Sequence, residues 1–104
     1  MVRQLDIFIH PQPAKRPAYP LLMIVQHAAV PAQMGEVLVV PLASPLRSAG
    51  DRLLPVFEVN GQRVQLLTPL MRRIPVKRPA DPVANLGMQR ARIIAAIDFL
   101  FAGS

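Results

Sequence analysis

The sequence predicts a small, mostly antiparallel β-barrel followed by one C-terminal α-helix. Twelve prolines lie between Pro11 and Pro82. Because a proline removes a backbone N–H and clashes with the preceding helical turn, they exclude long helices from that part of the chain. The segments between them are short and rich in Val, Ile and Leu, as in strands. The proline-free segment after Pro82 has apolar residues at helical spacing, so one helix follows the strands.

The first half of the chain contains three predicted strands. Alternating apolar residues predict a strand over 4–9, and the nearly continuous apolar run over 21–27 predicts one that is buried on both faces. The third strand, over 36–43, contains Pro41, which we expect at an edge or a bulge because it cannot donate to a ladder. The stretches 10–19 and 28–35 are predicted loops.

A hairpin is the most specific local signal in the second half. Asn60-Gly61 separates the β-rich runs 52–59 and 62–67, and both central residues of a type I′ turn need the positive φ that Asn and Gly tolerate. Residues 68–73 are predicted to form one tight helical turn, and residues 74–78 a last short strand.

The helix is predicted to begin with Asp81 as its N-cap and Pro82 as its first residue, and to continue through the proline-free stretch 83–101. Gly87 weakens the first turns by about 1 kcal/mol relative to alanine, which favours a start within 85–88. The residues that we expect to be buried in the core are Ile24, Val39, Val56, Leu66, Ile94, Ile97 and Phe101.

Size and composition exclude several classes of protein. With 104 residues, of which 52% are apolar, residues 1–104 form one domain without room for a deep cofactor pocket. The absence of cysteine excludes disulfides, thiolate zinc sites and cysteine nucleophiles. No apolar run approaches the roughly 20 residues of a membrane helix, and no signal peptide is visible, so we expect a cytoplasmic protein that does not contact membranes.

Residues that could carry catalysis are few. His10 and His27 have no neighbouring Cys or Glu with which to form a metal site, and the six carboxylates show no pairing for acid–base work. No glycine-rich phosphate loop is present. We therefore predict no catalytic residue, no metal and no cofactor.

The charge balance points to an acidic partner. Lys and Arg outnumber Asp and Glu by 12 to 6, which favours nucleic acid, an acidic peptide or an anionic surface. With 5% aromatic residues, the chain offers almost no stacking platform for nucleic acid. The alternative is that the basic residues only keep an apolar protein in solution. The basic residues at issue are Lys15, Arg16, Arg72, Arg73, Lys77, Arg78, Arg90 and Arg92.

Several short segments follow one another in an order known from one protein family. They are Val-Val-Pro-Leu-Ala-Ser at 39–44, Leu-Pro-Val at 54–56, Leu-Leu-Thr at 66–68, Ile-Pro-Val at 74–76 and Ile-Ile-Ala-Ala-Ile-Asp-Phe-Leu-Phe at 93–101. This set, which covers nearly the whole chain, resembles the CcdB family of toxins from bacterial type II toxin–antitoxin modules.

The resemblance implies an SH3-like barrel that forms a homodimer and inhibits DNA gyrase without being an enzyme. Such a toxin binds the A subunit of this topoisomerase and traps the cleaved DNA complex. A CcdA-like antitoxin wraps the toxin with a disordered segment and releases it from gyrase. The toxin contacts operator DNA only within the antitoxin complex, which represses its own operon, and such modules serve plasmid maintenance.

The resemblance also implies binding residues. The family ends in Trp, Gly and Ile, where this chain has Ala102, Gly103 and Ser104, so the stacking ring is lost. The implied gyrase-binding residues are Phe101, Ala102, Gly103, Ser104, Asp98, His27, Ala29 and Val30. The antitoxin-binding residues that we expect are His10, Lys15, Arg16, Arg90 and Arg92.

Three functions remain open. The protein is a gyrase-directed toxin with a rewritten end, or it binds an antitoxin but has another target or is inactive. The third possible function is an mRNA-cleaving toxin, which we consider because such toxins share this barrel. The residues available for that chemistry are His10, Arg16 and Arg72.

Overall fold

The structure, a computed structural model, describes residues 3–26, 35–46, 50–75 and 81–103. Within these ranges the strands are β1 (Asp6–Ile9), β2 (Leu21–Ile24), β3 (Glu36–Ala43), β4 (Val56–Val59), β5 (Gln62–Leu66), β6 (Arg72–Pro75) and β7 (Ala84–Asn85). The α-helix α1 spans Arg90–Ala102, and short 3₁₀ turns lie at Pro13–Lys15, Thr68–Leu70 and Gly87–Gln89.

Strand β3 is the centre of a single antiparallel sheet with the order β4-β5-β3-β2-β1-β7. It pairs with β2 along one side. Along the other side it pairs first with β6, where Val39 faces Arg72, and then with β5, where Leu42 faces Leu66. The sheet is therefore a nearly closed barrel, which confirms the predicted fold class.

Pro41 lies inside this central strand, so the prediction of an edge or a bulge is wrong. Its register with β2 is continuous, and its carbonyl oxygen accepts the N–H of Leu67 at 2.9 Å. Because the N–H and C=O of one strand residue point to the same side, the missing N–H faces the point where β3 changes partner from β6 to β5. The proline is tolerated because the ladder is interrupted there in any case.

The hairpin is confirmed. Asn60 has φ 51° and Gly61 has φ 82°, as a type I′ turn requires, and Val59 pairs with Gln62 across it. The helical turn after it is shorter than predicted, because Thr68–Leu70 forms a 3₁₀ turn and β6 already begins at Arg72. Residues 76–78 of the predicted last strand lie outside the described residues.

Helix α1 begins at Arg90, so the predicted start at Pro82 is wrong, whereas the later start within 85–88 overlaps the 3₁₀ turn Gly87–Gln89, which leads directly into α1. Strand β7 occupies Ala84–Asn85 and pairs with β1, where Asp6 faces Asn85. The Asn85 side chain donates from Nδ2 to Oδ1 of Asp6 at 2.8 Å, and Oδ1 of Asn85 accepts the N–H of Gly87 at 2.7 Å. These tertiary contacts outweigh the local preference of Asp81 and Pro82 for a helix start.

The main core is formed by strand residues and by Ile93 of α1, and its fully buried members include Ile7, Met23, Val40, Leu42, Leu66 and Ile93. A second, smaller buried cluster consists of Leu22, Ile24 and Val39. Among the core predictions, Ile24, Val39 and Leu66 are confirmed, whereas Val56 and Ile97 are half-buried. Ile94 and Phe101 are exposed, because the buried face of α1 is formed by Ile93 and Ala96. Among the described residues there is no helix whose length and apolar character would allow it to cross a bilayer.

Candidate functional site

The end of α1 is an exposed apolar tip. The side chain of Phe101 is 75% exposed, and Asp98, Ala102 and Gly103 are exposed beside it. Gly103 has φ 72° and donates its N–H to Phe99 O at 2.9 Å, a C-cap that stops the helix there. Four of the predicted gyrase-binding residues therefore share this tip. The others, His27, Ala29, Val30 and Ser104, lie outside the described residues.

A second group surrounds His10, where β1 enters the first loop. The His10 side chain is only 1% exposed. Its Nδ1 accepts the backbone N–H of Gln12 at 3.1 Å, and Nη2 of Arg72 lies 3.4 Å from its Nε2. Nε of Arg16 donates to the carbonyl oxygen of His10 at 2.7 Å. The structure thus brings together His10, Arg16 and Arg72, which the ribonuclease hypothesis required.

The surroundings of His10 favour its neutral form. Both ring nitrogens face a donor, and a neutral imidazole can accept at one nitrogen whereas an imidazolium can accept at neither. Burial lowers the pKa of His10, and the positive charges of Arg72, Lys15 and Arg16 lower it further. The neutral ring is a possible base, but it is almost fully covered, so the present geometry gives a ribose hydroxyl no access to it.

No metal centre accompanies this histidine in the described residues, because they contain no group of three or more His, Cys, Asp or Glu that could hold an ion. The nearest functional groups are the cationic side chains of Arg16 and Arg72. Arg72 also has a buried Nε without a hydrogen-bond partner. The His10 group is therefore a cluster of cationic side chains around a buried histidine.

A third group lies where α1 meets the loop before β4. The guanidinium of Arg92 stacks over the ring of Phe57, 4.5 Å from its centroid, and donates from Nη2 to Val56 O at 3.0 Å. The guanidinium of Arg52 lies 5.0 Å from the centroid of the Phe99 ring. Arg90, predicted to act with Arg92, is exposed at the start of the helix.

An open groove of about 350 Å³ lies at this third group. It is lined by Gly50, Asp51, Arg52, Pro55, Arg92 and Ala95. The sequence prediction included Arg92 but missed Arg52, because a single arginine in a loop has no periodic signal. The helical spacing of Arg92, Ala95 and Phe99 does place these residues on one face of α1 and was a usable clue.

The fold and the exposed helix end agree with the comparison to known families. The model of the CcdB protein family matches residues 4–103, which is nearly the whole chain. No curated protein matches the chain significantly. The family match includes every described strand and the helix with its tip. The chain therefore belongs to the CcdB family, the toxins of bacterial toxin–antitoxin modules.

Proposed function

We propose that this protein is the toxin of a type II toxin–antitoxin module and that it acts by poisoning DNA gyrase. The observation that carries the proposal is the CcdB family match over residues 4–103. The toxin acts in the cytoplasm, binds the gyrase A subunit without being an enzyme, and traps the cleaved DNA. An acidic, CcdA-like antitoxin neutralises it and contacts operator DNA in the complex, and the module serves plasmid maintenance.

The exposed tip of α1 supplies the contact with gyrase in this proposal. Phe101 holds a largely uncovered ring at the end of a helix, and burying such a ring on a partner contributes roughly 1.5–3 kcal/mol. Asp98 adds a charge on the preceding turn. Phe101 thereby keeps apolar area at a tip where Ala102 offers little.

A homodimer is part of the same proposal. Two large apolar side chains on the C-terminal segment, away from the tip, are left uncovered by this chain alone: Met88 is 97% exposed, and Ile94 is 38% exposed. Exposed apolar side chains that cluster on one segment are typical of a surface that a partner covers. A second copy of the chain is the partner that family membership supports.

A gyrase cleavage assay tests the proposal. Purified protein is incubated with gyrase, ATP and supercoiled plasmid, and trapped linear DNA is measured, with a quinolone as the positive control. The unmodified protein is expected to give linear DNA, and Phe101→Ala is expected to abolish it.

The double variant Ala102→Trp, Ser104→Ile, which restores the family's end, separates the remaining outcomes. Trapping by this variant alone would mean that the fold still binds gyrase but its poisoning end is switched off. Absence of trapping by both proteins would contradict gyrase as the target and favour another target or an inactive relative.

An mRNA-cleaving toxin is a second candidate, because Arg16 and Arg72 lie within hydrogen-bond range of His10 atoms. Cleavage would require the covered ring of His10 to become accessible. The test is incubation with mRNA in the presence of a chelator. If mRNA is cleaved without metal and His10→Asn abolishes the cleavage, the proposed function is RNA hydrolysis and not gyrase poisoning.

A further inference from the structure

We propose that the His10 group binds a small phosphate dianion, which is inorganic phosphate or the terminal phosphate of a nucleotide. The site is formed by His10 after β1, by Lys15 and Arg16 in the first loop, and by Arg72 at the start of β6. The inference does not rest on gyrase poisoning. It also differs from RNA cleavage, because it gives His10 the role of a hydrogen-bond donor to a bound anion and not that of a base.

His10 and Arg72 meet through two hydrogen-bond donors. Nδ1 of His10 accepts the backbone N–H of Gln12 at 3.1 Å, so the proton of the neutral ring lies on Nε2. Nη2 of Arg72, which can only donate, lies 3.4 Å from this Nε2. If Nε2 were the acceptor instead, the same conflict would move to the shorter contact with Gln12. An oxygen atom that lies beside both nitrogens and accepts from both removes the conflict.

Arg72 holds a further donor without an acceptor. Its Nε is buried and has no hydrogen-bond partner in the described part of the chain, although the side chain as a whole is only half-buried. Buried N–H groups nearly always have a partner, so this one points to an acceptor outside the chain. Nε and Nη2 form one edge of the guanidinium, and such an edge matches two oxygens of a phosphate. Together with Nε2 of His10, three N–H donors therefore converge on one place.

The positive charge at this place is not balanced within the described ranges, where no carboxylate pairs with Lys15, Arg16 or Arg72. The charges of all three act on the His10 ring and lower its pKa, in addition to the effect of burial. A carboxylate ligand would bring one negative charge and two oxygens. A phosphate dianion brings nearly two charges and three strongly accepting oxygens, so it suits three cations better.

The first loop holds its two cations in place before a ligand arrives. Nε of Arg16 donates to the carbonyl oxygen of His10 at 2.7 Å. Lys15 lies in the 3₁₀ turn Pro13–Lys15, and its carbonyl oxygen accepts the N–H of Tyr19 at 2.8 Å. Since the backbone and one nitrogen of Arg16 are already fixed, binding an anion costs less conformational entropy.

The burial of His10 favours a free or terminal phosphate over the internal phosphates of nucleic acid. The side chain is 1% exposed, so only a narrow group can reach its Nε2. An internal phosphodiester carries one negative charge and a nucleoside on each side. A terminal phosphate is attached on one side only and exposes three oxygens.

¹⁵N NMR of the histidine rings tests the site in the full-length wild-type protein. The chain has two histidines, so the loss of one set of signals in His10→Asn assigns the other set to His27. At about pH 8, where phosphate is a dianion, we expect His10 to carry its proton on Nε2. Added phosphate should shift this Nε2 signal along a saturable curve, whereas sodium chloride at the same ionic strength should not.

Two neighbouring arginines of β6 provide a matched pair of variants. Arg72→Gln and Arg73→Gln remove the same charge, but side chains alternate between the two faces of a strand. Calorimetry should show phosphate binding at least about tenfold weaker in Arg72→Gln, because charge-assisted hydrogen bonds are lost. The loss in Arg73→Gln should stay below about threefold, because its exposed charge is largely screened. Arg72→Lys keeps the charge without the Nε donor and should resemble Arg72→Gln, and thermal melts report whether each variant is folded.

The ligands compared are inorganic phosphate, a nucleoside monophosphate and an oligothymidylate without terminal phosphates. Weaker binding of the oligothymidylate than of the other two supports the proposal, and the tighter of those two identifies the source of the phosphate. The proposal is refuted if the wild type shows no saturable shift, if His10 carries its proton on Nδ1, or if Arg72→Gln and Arg73→Gln lose affinity equally. Binding of the oligothymidylate as tight as that of phosphate, with the same dependence on Arg72, would make the His10 group a site for a nucleic-acid backbone instead.

Discussion

Two neighbouring isoleucines on α1, Ile93 and Ile94, are expected to differ strongly in the unfolding free energy that is lost when each is truncated to alanine. Ile93 is 0% exposed in the core, so Ile93→Ala removes buried methyl groups and leaves a cavity, which costs about 2–5 kcal/mol of unfolding free energy. Ile94 is 38% exposed. Ile94→Ala removes methyl groups that are only partly covered, leaves no enclosed cavity and gains a few tenths of a kcal/mol in helix propensity, so we expect a cost of about 1 kcal/mol.

Urea unfolding followed by circular dichroism measures both costs. Ile93→Ala should shift the midpoint downward at unchanged slope, whereas Ile94→Ala should remain near the wild type. Because a second copy is proposed to cover the exposed side of α1, the series is repeated over a range of protein concentrations. A loss in Ile94→Ala that disappears on dilution belongs to the dimer. A concentration-independent loss in Ile94→Ala as large as that in Ile93→Ala would refute the assigned face of the helix.

Three further perturbations follow from the structure. Phe101→Ala should leave the unfolding free energy within about 0.5 kcal/mol of wild type in chemical denaturation while linear DNA disappears from the gyrase assay. Gly61→Ala should cost about 1 kcal/mol in the same denaturation, because φ 82° strains any side chain. Folding lowers the pKa of His10 from 6.5, so the unfolded chain binds the proton first. The unfolding free energy should therefore fall as the pH drops below about 6.5. Thermal melts of the wild type and of His10→Asn across that pH range should give the contribution of His10 as the difference between the two proteins.

The fold could be predicted where short-range chemistry decides the conformation. Asn60-Gly61 specified its hairpin because only a few residues tolerate positive φ, and the β-rich runs on either side had no competing helical option. The start of α1 could not be predicted in this way. Asp81 and Pro82 favour a helix locally, but pairing of Asn85 with Asp6 holds the segment in a strand, and that partner is remote in the sequence.

The candidate site shows the same division. The resemblance to the family pointed to Phe101 as a binding residue, although the same residue was also assigned to the core and is 75% exposed. Periodicity cannot decide which side of an evenly apolar helix faces the barrel, because Ile93 and Ile94 are chemically identical. Arg52 and His10 gained their surroundings only from tertiary contacts, with Phe99 and Arg72 respectively.

The pairing of Asp6 with Asn85 has a consequence for how the toxin is made. The two residues are 79 positions apart, and their contact joins β1 to the segment that leads into α1. Contacts between such distant positions form slowly, because the entropy cost of closing a long loop comes before the stabilisation by the contact. On the ribosome, β1 therefore has no partner in β7 until residues 84 and 85 have been synthesised. The helix that carries Phe101 follows β7 in the chain, so it can be held against the sheet only after this long-range contact becomes available.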